Sequence, residues 1–338
     1  MINVGILGFG KMGQLRAQTL EDSGLGKVKK IFDVNSNQDS NYDIALSPEE
    51  IFTNKKIDAV FICTPNYLNK PLTIQGLKAG KHVFCEKPPA FNEVEVVEII
   101  ETEKASGKKL MYGFNHRHHE SIKMMKDLVD KETYGKILWM RGRYGKSVDK
   151  NFFSNWRANS EKAGGGILLD QGIHMLDLFT YLGGEFDEVK AMISNLYWDS
   201  EIEDNVFAIL RNNQTGVVAS LHSTMTQWRH LFSLEVFLEH GYFVLNGLKT
   251  SSGTYGEEIL NIAKNRSEAP RATWKDEKKY SFDSNVSWQS EVEHFLDAII
   301  KDNPITIGNS NDAQIIMRIV DKIYKDGLLA IGKENKDD

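Results

Sequence analysis

The chain has 338 residues, 41% of them hydrophobic and 26% charged, a composition that suits two globular domains and excludes a disordered or fibrous chain. Lys and Arg number 41 against 47 Asp and Glu, a net charge of −6. That balance offers no basic face to nucleic acid or to an anionic membrane surface, and no apolar run approaches the length of a membrane span.

The N-terminus, Met1-Ile2-Asn3-Val4, runs straight into a strand with no basic n-region, apolar h-region or cleavage site, so a cytoplasmic protein is expected. Residues 3–7 read as a first strand, followed by a Gly-rich turn and a helix over 11–22. Strands follow over 28–33, 57–63, 82–85 and 110–114, with helices over 71–79 and 92–106 between them. Repeated strand–helix units of this kind form a doubly wound parallel sheet. Cys63 and Cys85 each close an apolar run and match no redox or metal spacing, so both are expected to be buried, reduced thiols. After Arg117 the pattern changes. A helix over 120–129, a strand over 137–144 and a helix beyond Gly166 precede strand-like runs at 189–198, 205–210, 216–224, 232–238 and 242–245. Consecutive strands without crossover helices imply an open, mainly antiparallel sheet. Residues 249–287 are polar, with Gly, Ser and Pro, and read as an excursion from that sheet. Helices near 288–300 and 312–324 close the chain before a charged, frayed tail from 332. The expected division is 1–118 for the dinucleotide-binding domain and 119–338 for a substrate and oligomerisation domain.

Gly8-Phe9-Gly10-Lys11-Met12-Gly13 is a GxGxxG between a strand and a helix, the context in which the motif binds a dinucleotide. Gly8 permits the tight turn, Gly10 the approach of a pyrophosphate, and Gly13 close packing of helix on strand. Asp33 ends the second strand 20 residues later, where a carboxylate accepts hydrogen bonds from a ribose diol. Val34-Asn35-Ser36-Asn37 supply no Arg for a 2′-phosphate, which favours NAD over NADP. A plain glycine turn with a surface Asp is the bland alternative. No second nucleotide-binding half is present to suggest flavin.

Glu86-Lys87-Pro88 lies just past the fourth strand, and ligands of open α/β sheets bind at the carboxyl ends of strands. Lys87 there can stabilise a developing alkoxide, although a solvated Lys is the ordinary fate of this residue type. In Gly164-Gly165-Gly166-Ile167-Leu168-Leu169-Asp170-Gln171-Gly172-Ile173-His174-Met175-Leu176-Asp177, a helix would align Asp170, His174 and Asp177 on one face of an otherwise apolar element. His174 there can take a proton as hydride leaves, or can be a core His satisfied by Asp.

These segments, with Cys63-Thr64-Pro65-Asn66, Gly113-Phe114-Asn115-His116-Arg117, Trp156-Arg157 and the closing helix, resemble the glucose–fructose oxidoreductase, inositol dehydrogenase and MocA-like (Gfo/Idh/MocA) family over nearly the whole chain. The resemblance implies a Rossmann domain followed by an α/β domain with an open sheet, and homodimers or homotetramers built through that sheet. It makes Lys87 and His174 the catalytic pair and gives Asp170 the substrate. Thr64, Pro65, Asn66, Glu86, Asn115, Trp156 and Arg157 join the Gly8–Gly13 turn and Asp33 around the cofactor. Two departures stand out. The family often has His where this chain has Asn69, a position read as peripheral, and an aromatic where it has His118. The run His116, His118 and His119 invites a metal, but no Cys or paired carboxylate accompanies it, so no metal is expected.

The expected activity is NAD-dependent oxidation of a secondary hydroxyl on a sugar, cyclitol or sugar derivative, a sugar nucleotide among them. Tyr144, Phe152, Phe153, Trp156, Tyr197, Trp198 and Trp228 suit sugar faces, or fill a core. Lys146, Lys150 and Arg157 could hold an acid or phosphate, or be solvated. Rival readings are transient use of NAD for net hydrolysis or epimerisation, a dinucleotide-sensing regulator, and reduction of a linear tetrapyrrole or other non-sugar carbonyl.

Overall fold

The structure, a computed structural model, describes residues 1–35, 41–250, 252–265 and 273–334, with side chains to 327; Ser36 and Asn37 of the expected ribose loop and the end of the tail lie outside these. The chain divides into two compact units, Met1–His118 with Glu161–Gly164 and Val286–Met317, and His119–Ser160 with Gly165–Asn285 and Arg318–Asp338.

The first unit alternates β1 (Ile2–Leu7), α1 (Lys11–Asp22), β2 (Gly26–Phe32), α2 (Pro48–Thr53), β3 (Ala59–Ile62), α3 (Asn69–Lys78), β4 (His82–Cys85), α4 (Glu93–Ser106) and β5 (Leu110–Tyr112). Its five strands lie in the order β2-β1-β3-β4-β5, all parallel. The strands β3, β4 and β5 are almost wholly apolar because both faces of a parallel sheet are covered, whereas β2, at the sheet edge, carries Lys27, Lys29 and Lys30. Strand order reverses at β1, so a crevice opens beyond the carboxyl ends of β1 and β3. The glycine turn follows the first of these and Thr64-Pro65-Asn66 the second. Helix α4 has a regular start and stop: the Asn92 side chain accepts from the Glu95 N–H, and Gly107 ends it in the left-handed conformation, φ 63°.

The second unit begins with α5 (Glu120–Asp130), β6 (Ile137–Ser147) and the short α6 (Ser160–Ala163), whose last residues belong to the first unit. Then come α7 (Ile173–Gly183), β7 (Glu188–Ser194), β8 (Asn205–Arg211), β9 (Val218–Thr224), β10 (Thr226–Leu238), β11 (Gly241–Asn246), β12 (Glu258–Lys264) and β13 (Lys278–Phe282). They form an eight-stranded sheet, β13-β12-β11-β10-β6-β9-β8-β7, antiparallel except where β6 runs parallel to β9. The polar stretch 249–287 is therefore not an excursion. It supplies β12 and β13, which extend the sheet beyond β11. Strand β7, expected to reach residue 198, ends at Ser194, and β10 starts six residues before its expected beginning at 232.

The chain then adds α8 (Ser287–Ile300) to the first unit, and α9 (Ser310–Glu334) contributes to both. Helix α8, read in sequence with the second domain, buries Val292, Phe295 and Leu296 in the Rossmann core beside Val4, Ile6, Phe61 and Phe84. Its Phe295 ring meets Phe61 edge-on at 5.6 Å and Phe84 at 5.7 Å.

Candidate active site

The cofactor half-site of the first unit is made mostly of backbone. Gly8 has φ 84°, and a Cβ there would strike the Cys63 carbonyl; one at Gly13 would overlap the carbonyl of Gly8. Beside Gly10 nothing lies within 4 Å of the same position, so the main chain is open where a pyrophosphate would approach. No side chain caps α1. Its first N–H groups and the positive end of its dipole are thus available to an anion. Asp33 is half-buried. Its Oδ2 accepts the Phe9 N–H at 2.6 Å and its Oδ1 the Asn35 N–H at 2.8 Å, which holds the carboxylate against the turn with lone pairs to spare for a ribose diol. These features fit a dinucleotide. Lys11 is exposed and Met12 half-buried on the same turn.

Two loops follow β3 and β4, and Asn69 joins them. It is fully buried, donates from Nδ2 to the carbonyls of Glu86 (3.2 Å) and Pro88 (2.8 Å), and accepts from the Thr64 hydroxyl at 3.3 Å. The position read as peripheral is the tie between the Thr64-Pro65-Asn66 loop and the loop of Lys87. An amide does this work well because it donates twice and accepts as well. Asn66 donates to the Ala163 carbonyl at 2.8 Å. Lys87 is half-buried and its bond to Pro88 is cis.

Glu86 belongs to a buried ion triad. Arg16 Nε donates to its Oε1 at 2.7 Å, and Arg16 Nη1 meets Glu291 Oε2 of α8 at 2.6 Å. The guanidinium lies between the rings of Phe84 (4.4 Å) and Trp288 (4.7 Å). Arg16 thus links the helix of the glycine turn, the residue before Lys87 and α8, and no sequence motif signalled it. Asn115 is also buried, with Nδ2 3.3 Å from Ser287 Oγ and Oδ1 3.0 Å from His116 Nδ1.

The His residues that suggested a metal go to separate partners. His116 meets Asn115, His118 faces the His294 ring at 5.9 Å, and His119 Nδ1 lies 2.8 Å from Glu258 Oε2. Burial pushes the Glu258 carboxyl up, but hydrogen bonds from His119, Ser121 and the Lys249 N–H outweigh it and hold the group below its ordinary range. Cys85 is buried and its thiol pushed up to about 12 by desolvation; Cys63 is only half-buried, contrary to expectation. Both cysteines are free thiols.

In the second unit, the segment Leu168–Gly172 is a π-helical turn rather than part of an α-helix. The widened turn changes the phase between Asp170 and His174, and such turns recur at functional sites. It starts from Gly166, where a Cβ would collide with the Glu203 carbonyl. Glu203, 8% exposed, accepts the N–H groups of Gly166 (2.7 Å) and Leu168 (3.0 Å) and the Tyr324 hydroxyl (2.9 Å). Burial pushes its carboxyl upward. This carboxylate fixes the segment that carries Asp170, and no motif marks it.

His174 is 5% exposed on the first turn of α7, its ring 6.3 Å from that of Tyr144. Asp177, one turn further, is fully buried. Asp170 Oδ2 pairs with Lys146 Nζ at 2.6 Å. Tyr255 packs edge-on against both Tyr144 (5.2 Å) and His230 (4.8 Å). Burial, followed by the Asp170 charge, raises Tyr255, so it stays a neutral hydroxyl. Burial and then Lys146 lower His230, which favours a neutral imidazole. Asp170, His174, Lys146, Tyr144, Tyr255 and His230 therefore form one polar cluster. Tyr255 comes from the stretch read as an excursion, so sequence reasoning missed it. Trp156 and Arg157 lie on a separate turn of this unit, the guanidinium 4.5 Å over the indole.

Comparison with known proteins agrees with both halves. Residues 2–114 match the model of the oxidoreductase family with an NAD-binding Rossmann fold, and residues 122–244 match the GFO/IDH/MocA C-terminal domain. Myo-inositol 2-dehydrogenase of Thermotoga maritima is 26% identical over 76% of this chain and 79% of that protein. The 2,7-anhydro-N-acetylneuraminate hydratase of Escherichia coli K12 is 27% identical over 74% of this chain and 67% of that protein. In fold, levoglucosan dehydrogenase in complex with NADH and levoglucosan superposes with a TM-score of 0.86 at 22% identity, covering 97% of each chain. The chain belongs to the Gfo/Idh/MocA family of oxidoreductases, and its first unit is an NAD-binding Rossmann domain. Among the described residues no helix is long and apolar enough to cross a membrane.

Proposed function

We propose that the chain is an NAD-dependent dehydrogenase that oxidises a secondary hydroxyl of a sugar, cyclitol or sugar derivative, with Lys87 and His174 as the catalytic pair. The observation that carries this reading is the second unit's polar cluster. There a carboxylate, an ammonium group, two imidazoles and two neutral phenols converge beside a π-helical turn. Such a set suits a polyol, because it supplies both donors and acceptors to vicinal hydroxyls. The names of the relatives, which concern inositol and anhydro sugars, point the same way.

NAD, when bound, supplies the hydride acceptor. The Gly8–Gly13 turn and Asp33 hold the cofactor, with Thr64, Pro65, Asn66, Asn115, Trp156 and Arg157 as further contacts. His174 takes the hydroxyl proton. Lys87 stabilises the oxygen as charge develops on it, and Asp170 with Lys146 orients a neighbouring hydroxyl. Glu86 acts through Arg16, as a positioning residue for the Lys87 loop. The Asp33 carboxylate repels a 2′-phosphate, which supports NAD over NADP.

The outward sheet face supports a homo-oligomer. Met192, Phe207 and Ile209 are 75%, 50% and 57% exposed there, along a groove of about 540 Å³. The stacked rings of Trp139 and Phe237, 4.1 Å apart, continue the same face. Phe207→Glu should lower the mass measured by light scattering to that of a smaller assembly; an unchanged mass would move the interface elsewhere.

The test of the activity is NADH absorbance with NAD and a panel of cyclitols, sugars, sugar acids and sugar nucleotides. A steady rise with one class supports net dehydrogenation. One relative is named a hydratase, which favours a second reading in which NAD is used transiently. Substrate loss without net NADH would select that reading.

A further inference from the structure

We infer that the second unit carries an outer subsite for an additional sugar ring, so that the substrate is a glycoside of two or more rings. The inference rests on the proposed sugar chemistry at Asp170 and His174 and extends it outward. From that pair a continuous path of aromatic rings leads to the surface. Lys146, held by Asp170, places Nζ 4.9 Å over the Phe152 ring. Phe152 meets Phe153 at 5.2 Å, and Phe153 lies against Trp198 at 4.9 Å with an interplanar angle of 31°. Tyr197 joins Trp198 at 4.9 Å and Trp228 at 4.8 Å, both edge-on.

These rings are not core. Tyr197 is 60% exposed and Trp228 58%, and large exposed aromatic clusters mark binding surfaces. They are also held in place. The buried Asp204 carboxylate accepts the N–H groups of Leu196 (3.4 Å), Tyr197 (2.9 Å) and Trp198 (3.2 Å), and the Trp198 indole donates to the Met225 carbonyl at 3.5 Å. Trp228 sits at φ 59°, within the stretch where the β10–β6 register slips. A bulky residue in the left-handed region is strained, and such strain persists where the site uses the side chain. A pyranose has an apolar C–H face that fits an aromatic face, and its rim of hydroxyls remains in water. A protein partner fits less well. Most of the rings meet at steep angles, and they form a wall continuous with Lys146 and Asp170, whereas the exposed aliphatic and aromatic groove of this unit lies on the Phe207 face.

The test is calorimetric titration of the NAD-loaded protein with glucose and galactose, and with cellobiose, maltose and lactose. At least one disaccharide should bind about tenfold more tightly than its monosaccharide. Trp228→Gly, which suits the left-handed backbone, and Tyr197→Ala should each bring that ratio close to one. A ratio near one in the wild type, or an unchanged ratio in both variants, overturns the outer subsite. If monosaccharides are bound and oxidised without a disaccharide advantage, the outer subsite falls and the dehydrogenase reading stands. If no sugar binds, the outer subsite falls, and the dehydrogenase reading falls with it only if the cyclitols, sugar acids and sugar nucleotides also yield no NADH. Variants that change only the oligomeric mass would make the cluster a contact between copies and would also overturn the subsite.

Discussion

In the Rossmann unit the cofactor half-site is main chain: a left-handed Gly8, an open Gly10, uncapped N–H groups on α1 and one carboxylate, Asp33, held to the turn. In the second unit the candidate site is side chains drawn from distant strands and helices. Lys146 comes from β6, Asp170 from the π-helical turn, His174 from α7, and Tyr255 from the link between β11 and β12. A backbone site works for any sequence that keeps the glycines, so it recognises what all members of such a family share. A side-chain site changes with every substitution, so it is where substrate choice resides. The comparison predicts that damage to the glycine turn, Asp33 or Arg16 alters cofactor affinity or folding, and that damage to the cluster around Asp170 and His174 alters turnover.

The largest expected effect lies in the second unit. His174→Ala should reduce turnover by about 10²–10⁴-fold with NAD affinity retained, as single-turnover absorbance and fluorescence titration would show. Equal loss of NAD binding would break the separation of roles. In the first unit, Arg16→Ala would leave Glu86 and Glu291 buried without their cation. Breaking a buried pair in this way costs about 3–5 kcal/mol, so urea unfolding should shift sharply. A small shift would show that the two carboxylates become protonated at little cost. Asp33→Ala should weaken NAD binding by about tenfold, roughly 1.4 kcal/mol, while turnover at saturating NAD is kept. A change in saturated turnover would contradict a purely binding role.

The smallest effect is a pH response. Burial, followed by Lys108 and Lys109, lowers His82 from 6.5 to about 4. Above pH 6.5 the imidazole is neutral folded or unfolded and contributes nothing. As pH falls from 6.5 towards 4, the unfolded chain takes up a proton that the folded chain resists, so stability declines across that window. The group is partly solvated, so the decline should be about 1 kcal/mol. His82→Gln should flatten the unfolding free energy between pH 6.5 and 4; an unchanged slope would assign the acid response to other groups.

The first unit was the more legible in sequence, for the same reason that its site is backbone. GxGxxG, a strand before it and Asp33 at the right distance are local signals, and the parallel sheet follows from repeated short units. What escaped were contacts closed over long separations. Arg16 pairs with Glu86 70 residues away and with Glu291 further still, and Asn69 bridges two loops that sequence lists separately. In the second unit, β13 was hidden because an edge strand carries polar residues on exposed positions, as Lys278, Lys279 and Ser281 do, and β12 because it sits inside an otherwise polar stretch. Asp170 and His174 could be named from their motif. Tyr255, His230 and Glu203 could not, because nothing near them in the chain marks them: Tyr255 meets His230 and Tyr144 only through the fold, and Glu203 reaches back to Gly166 and Leu168.

The catalytic role of His174 is best probed by NADH formation by the wild type and His174→Ala across the sugar and cyclitol panel, with NAD affinity measured in parallel. The wild type should show a steady rise with one substrate class, and the variant a loss of about 10²–10⁴-fold with NAD affinity unchanged. Undiminished NADH formation by His174→Ala would contradict a catalytic role for His174.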